Sequence, residues 1–249
     1  MRNTKFWLVL AAAVLAPLVA SAQNAPLINI DEDLLSTERI FQLIALTTVL
    51  SLAPSIVMMV TSFTRIIIVF SLLRSAMGLQ GTPPNTVLVS LALFLTLFIM
   101  QPTLQTAWEQ GVSPYINQQI EAREAFDKTV APFHGFMTKH VRQEDLNLFL
   151  GYMKDKPKIE KPADVPLQAL IPAFMISELR RAFEIGFLLF LPFLVIDLAI
   201  ASILMSMGMM MLPPVIISLP FKIVFFVLVD GWHLLAGSLI QSFETAVKG

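Results

Sequence analysis

From Phe183 to Val229 the sequence is apolar almost without interruption, and the only charges in those 47 residues are Glu184, Asp197 and Lys222. At the middle, Ser206 to Pro214 reads Ser-Met-Gly-Met-Met-Met-Leu-Pro-Pro. Gly208 and the Pro213-Pro214 pair break helical continuity between two runs, each long enough to cross a bilayer. The pattern predicts two antiparallel helices joined by a methionine-lined bend. Folding about a point between Met209 and Met210 sets Asp197, twelve residues before Met209, level with Lys222, twelve residues after Met210. At ~1.5 Å per residue both lie roughly 18 Å from the bend. An unpaired charge in hydrocarbon costs at least ~2.5 kcal/mol, so acid and base are expected to pair, within one chain or between neighbouring copies. A structural ion pair is the plainer reading than a proton relay, since no chain of Asp, Glu or His leads away from Asp197.

Upstream, the apolar run Ile40 to Val60 is interrupted by Pro54 and continues without a polar break to Arg74. A helix starting near Ser36 or Thr37 and ending near Met77-Gly78 covers about forty residues, or about 60 Å, twice the hydrocarbon thickness. Either Pro54 divides it into a span and an amphipathic helix, or other protein shields it from lipid. Arg65 and Arg74 stand nine residues apart, about 900° around a helix, and face opposite sides. One neighbour cannot keep both from lipid, which favours burial inside an assembly. Gly81-Thr82-Pro83-Pro84-Asn85 is a break, and Val87 to Ala107 is again long enough to span, with Pro102 near its end.

From Trp108 to Leu170 the chain turns polar, with eight basic and nine acidic residues and prolines at 157, 162, 166 and 172 bounding it. Phe133, Phe136, Met137, Val141, Leu148 and Phe149 recur at helical spacing, which predicts a small helical domain. Glu121, Glu124 and Asp127, with Arg123 and Lys128, read as a solvated helix face. On the next stretch, Glu178 with Arg181, and Arg180 or Arg181 with Glu184, stand three or four residues apart and are candidates to pair along or across helices.

Composition agrees with a membrane protein: 56% of the 249 residues are hydrophobic and 14% charged. A formal net charge of −1 points to no nucleic-acid partner. There is no cysteine, hence no disulfide or thiolate chemistry, and His134, His140 and His233 are too scattered for a metal cluster. No phosphate loop, zinc-protease, serine-hydrolase or dinucleotide motif occurs, so neither an enzyme nor a cofactor is expected. Arg2 and Lys5, the apolar run Phe6 to Val19 and the small residues Ala20-Ser21-Ala22 read as a signal peptide cleaved between Ala22 and Gln23. The expected organisation is a signal peptide at 1–22, membrane-associated helices at 23–107, a polar periplasmic helical domain at 108–170, and a helical hairpin with a methionine-rich loop at 171–249. Counting spans from a periplasmic start directs the methionine bend to the cytoplasm. Arg65 and Arg74 suit that orientation, while Arg180 and Arg181 fall on the outer side against the positive-inside rule.

Several blocks resemble the FliP/SctR family of type III export-gate proteins. They are Met59 to Arg74 (MVTSFTRIIIVFSLLR), Pro83-Pro84-Asn85, Leu93 to Thr96 (LFLT), Pro172 to Phe187 (PAFMISELRRAFEIGF), Leu191 to Pro214 (LPFLVIDLAIASILMSMGMMMLPP), Leu219 to Lys222 (LPFK) and Val229 to Trp232 (VDGW). The signal peptide is similar to that of the flagellar branch. The resemblance implies an all-α integral membrane protein of kinked helical hairpins that assembles, five copies together, into a helical pore in the inner membrane at the flagellar basal body. It implies FliQ, FliR, FlhB and FlhA as partners, FliO as assembly factor, and unfolded flagellar proteins as cargo. It places a methionine constriction at Met209, Met210 and Met211, supported by Met205 and Met207. Glu178, Arg180, Arg181, Glu184, Asp197 and Lys222, singled out by spacing and depth above, remain the candidates for ion pairing in assembly. The rival expectations are an ion-coupled transporter, which would show internal repeats and discontinuous helices, and a scaffold of the secretion base that lines no pore.

Overall fold

A computed structural model describes residues 37–79, 81–154, 159–209 and 211–244, and all regular structure among them is helical. The chain divides after Ala53 into two units. Residues of the first unit described here form the beginning of helix α1 (Thr37–Met59), on which Phe41, Leu43, Ile44 and Leu52 are exposed. Thr47, Thr48 and Ser51 return their hydroxyls to carbonyls one turn back, at 2.7–2.8 Å, so these polar residues remain compatible with an apolar environment. The predicted end of the signal peptide, Ala22 and Gln23, lies outside the described residues.

The second unit begins at Pro54. The long first helix is interrupted, but not at Pro54: α1 runs through that proline, and the break falls at Val60–Ser62 before α2 (Phe63–Ala76). Threonine hydroxyls make it. Thr61 and Thr64 both donate to the Met58 carbonyl at 3.3 Å, and the Phe63 amide donates to Thr61 Oγ1 at 3.4 Å. Side chains thus take the partners that a continuous helical ladder would use. Helix α2 closes on Gly78, with the Leu79 amide on the Arg74 carbonyl and the Gly78 amide on that of Ser75. This pairing needs a left-handed residue, and Gly78 supplies it at φ +75°.

Helix α3 (Asn85–Ala107) follows, passes through Pro102 and loosens into a π turn at Trp108–Val112 and a short helix α4 (Ser113–Ile116). The polar segment forms α5 (Ala122–His140) and α6 (Gln143–Tyr152), separated where Val141 and Arg142 turn extended. A single 3-10 turn, Pro162–Asp164, leads to α7 (Leu167–Ser206), a 40-residue helix containing Pro172 and Pro192. Then come α8 (Pro214–Leu228) and α9 (Gly231–Glu244), bent by 63° where Asp230 adopts φ +52°. Residues 85–116 and 167–206 are long and apolar enough to cross a membrane, and α8 with α9 makes a third span if the bent pair counts as one.

Two clusters organise the second unit. In the first, Ile66, Val69, Phe70 and Leu73 of α2 are enclosed by Ala92, Ala182, Phe193, Phe226 and Leu239 from the four long apolar helices. In the second, Phe136 and Met137 of α5 and Leu146 of α6 pack with Met100, Phe174 and Phe243. The buried face of the polar segment is therefore shared with spanning helices. Each large side chain so enclosed contributes ~1.5–3 kcal/mol, and the sum holds α5 and α6 on α7.

Candidate functional site

The methionine bend is the segment 207–213 between α7 and α8. Helix α7 ends there because Gly208, at φ +72°, lets the Met209 amide reach the Leu204 carbonyl and its own amide reach that of Met205. The chain re-enters a helix at Pro214, whose missing N–H and fixed φ suit a first helical position. Met205, Met207, Met209 and Met211 are 57%, 66%, 42% and 98% exposed; Met210 lies outside the described residues.

Below the bend, α8 returns along α7. Lys222 Nζ lies 2.7 Å from Asp197 Oδ2, and the Ser218 hydroxyl donates to Asp197 Oδ1 at 2.5 Å. The pair therefore forms within one chain. Lys222 is 3% exposed and has a second acceptor, the Ala76 carbonyl at 3.1 Å, at the C-terminal end of α2. Neither Ser218 nor Ala76 was among the residues picked out by pattern. Ser218 stands one turn before Lys222 on the same face, a spacing that would have signalled it.

The other charges separate into a buried and an exposed set. Glu178 does not pair with Arg181. It crosses to Arg65 on α2, accepting from Nε at 2.8 Å and from Nη2 at 2.5 Å, with both side chains at most 1% exposed. The reason is orientation. Glu178 sits on the α7 face that meets α2, where an unpaired carboxylate would be untenable. Arg65 also donates to the Ser242 hydroxyl at 2.8 Å and lies 3.7 Å from the centre of the Phe243 ring, which draws α9 into the same node. Arg180 and Glu184 pair one turn apart at 3.1 Å on the exposed face of α7. Arg74 points away from Arg65, to Asn85 Oδ1 at the start of α3.

His140 attaches the polar segment to this node. Its ring is buried, with Nδ1 2.8 Å from the Phe136 carbonyl and Nε2 3.2 Å from the Phe243 carbonyl. Burial lowers its pKa below 6.5, against the opposing pull of those carbonyls. Ser177 makes a second attachment: it accepts from the Arg142 amide and donates to Asp145 of α6 at 2.7 Å. Among the described residues no cluster of His, Cys, Asp and Glu could hold a metal.

Comparison with known proteins addresses the same helices. The profile of the FliP family matches residues 46–239. A Caulobacter vibrioides protein named flagellar biosynthetic protein FliP is 55% identical over 251 residues, covering 100% of this chain and 94% of that relative. Proteins of the same name from Agrobacterium fabrum and Bacillus subtilis are 49% and 55% identical, covering 96% and 81% of this chain and 99% and 91% of their own lengths. The matched stretch includes the Arg65–Glu178 and Asp197–Lys222 pairs and the methionine bend, and the chain belongs to the FliP family.

Proposed function

We propose that this chain is a core pore-forming subunit of the flagellar type III export gate in the bacterial inner membrane. Five copies, joined by FliQ and FliR and flanked by FlhA and FlhB, surround a path for unfolded flagellar proteins, and FliO assists their assembly. The polar segment faces the periplasm, the signal peptide is removed after Ala22, and the chain catalyses no reaction. The observation that carries this reading is the exposure of Met205, Met207, Met209 and Met211 at one end of a helix pair whose Asp197 and Lys222 already neutralise each other. Exposed apolar side chains of this size need a cover, which copies of the same bend meeting around an axis would supply.

The chemistry suits the task. A passage for arbitrary polypeptides needs a closure that repels water, so that ions stay behind, yet yields to any side chain. Methionine has three rotatable bonds and a polarizable sulfur, and gives both. Exposed pairing of Arg180 with Glu184 suits a surface that meets neighbouring subunits.

The test is a chain with Met209→Ala, Met210→Ala and Met211→Ala together. Assembly into the complex is expected to persist while the membrane leaks ions and small solutes. A membrane that stays tight in cells holding the assembled variant would refute the closure. A photoreactive residue at position 211 is expected to crosslink a stalled export substrate. A transporter or a scaffold would give no such product.

A further inference from the structure

We propose that Lys222, with Ser218 and Asp197, is a strut that clamps the stem of the methionine bend to the end of α2, so that the bend and the turn at 77–79 move as one body. The proposal deepens the reading of the bend as a closure and rests on it for its consequence, though not for its geometry. Two residues seven apart on one face of α8 approach the end of α2. Lys222 Nζ takes the Ala76 carbonyl at 3.1 Å, and Val215 Cγ1 lies 3.8 Å from where a side chain on Gly78 would begin. Two helical turns separate the two positions, so both point at α2 together.

A counter-ion to Asp197 could have been placed anywhere within reach of the carboxylate. Here the ammonium, 3% exposed, divides its protons between that carboxylate and a helix C-terminus. Ser218 completes the arrangement: it donates to Asp197 Oδ1 at 2.5 Å, which leaves Oδ2 for the lysine, and stands between the two contacts with α2. The same turn of α2 is held on its other side, where Arg74 donates to Asn85 Oδ1 and to the Pro83 carbonyl. A displacement of α2 or of the 77–79 turn therefore passes to Pro214 and Val215, the base of the bend. Lys222 is a positioning residue in this account.

The natural chain has no cysteine, so a pair introduced as Gly78→Cys and Val215→Cys in the full-length protein in its membrane reports this contact alone within the chain. The strain of a side chain at position 78, where φ is +75°, is common to every background compared. Disulfide formation is expected to slow about tenfold when Lys222→Met is added, the equivalent of one charge-assisted hydrogen bond, and by less with Ser218→Ala. Oxidising the pair in the Lys222→Met chain is expected to restore a tight membrane, because a covalent tether replaces the strut. Undiminished crosslinking in Lys222→Met would overturn the proposal. So would recovery of crosslinking on adding Asp197→Asn, since the lysine would then be a counter-ion only. Loss of crosslinking with no leak would uphold the strut and refute the closure.

Discussion

Removing one partner of the Arg65–Glu178 pair should be among the most damaging single changes open to this chain. The guanidinium and the carboxylate are 1% and 0% exposed and share two hydrogen bonds. In Glu178→Leu the cation keeps Ser242 and the Phe243 ring but no counter-charge, and in Arg65→Met the anion is left alone at the α2–α7 contact. Leaving one charge of such a pair costs ~3–5 kcal/mol, whereas replacing both with apolar groups of like size is often close to neutral. The double variant should therefore be more stable than either single one, with an interaction of at least ~2 kcal/mol in the cycle. The assay is unfolding of the purified, detergent-solubilised chain by a denaturing detergent, followed by helical circular dichroism for the parent, two singles and double. Arg180→Met and Glu184→Leu form the matched control on the exposed face, where the pair should be worth ~0.5 kcal/mol or less. Single changes at 65 or 178 costing under ~1 kcal/mol, or an additive double, would refute the argument that burial sets the size of the effect.

Two further outcomes follow from the packing. His140 has a lowered pKa, so the folded chain binds fewer protons there than the unfolded one: its stability is complete above pH 6.5 and is lost as pH falls below that value. Unfolding midpoints measured across this range should decline towards acid in the parent and flatten in His140→Gln; an unchanged slope would assign the loss to other groups. A methyl at Gly111 would sit 2.8 Å from the Thr129 amide nitrogen and 2.9 Å from the Ala125 carbonyl, so Gly111→Ala must push α5 away at ~1–3 kcal/mol. Gly135→Ala meets nothing within 4 Å and should stabilise by ~0.5–1 kcal/mol. The two shifts in midpoint are expected to have opposite signs.

Much of the helical layout could be read from the chain because its causes are local. Gly208 and the Pro213-Pro214 pair bound the helices at the methionine bend, and apolar length alone marks Val87 to Ala107 and the run from Phe183. Counting residues from the bend also sets Asp197 level with Lys222, since two antiparallel helices share one rise per residue. The break in the first long helix was not legible in this way. Pro54 is the stronger breaker by residue type, yet the helix tolerates it, and Thr61 and Thr64 interrupt the ladder by capturing the Met58 carbonyl. Such competition depends on rotamers that no periodicity records.

What the sequence by itself determined was that the long apolar segments are helical, that the chain turns at the methionine bend, and that buried charges must find partners. Only the tertiary structure decided which partners. Glu178 has an arginine three residues away on its own helix, but the face it occupies meets α2, and Arg65, 113 residues earlier, is what waits there. The same holds for Lys222 and the Ala76 carbonyl, and for α5 and α6, whose apolar faces close on Phe174 and Phe243 rather than on each other. Rise and turn are properties of a few consecutive residues, whereas the rotation of one helix against another is settled by the packing of whole faces, and it is that rotation which chooses the neighbour of every buried charge.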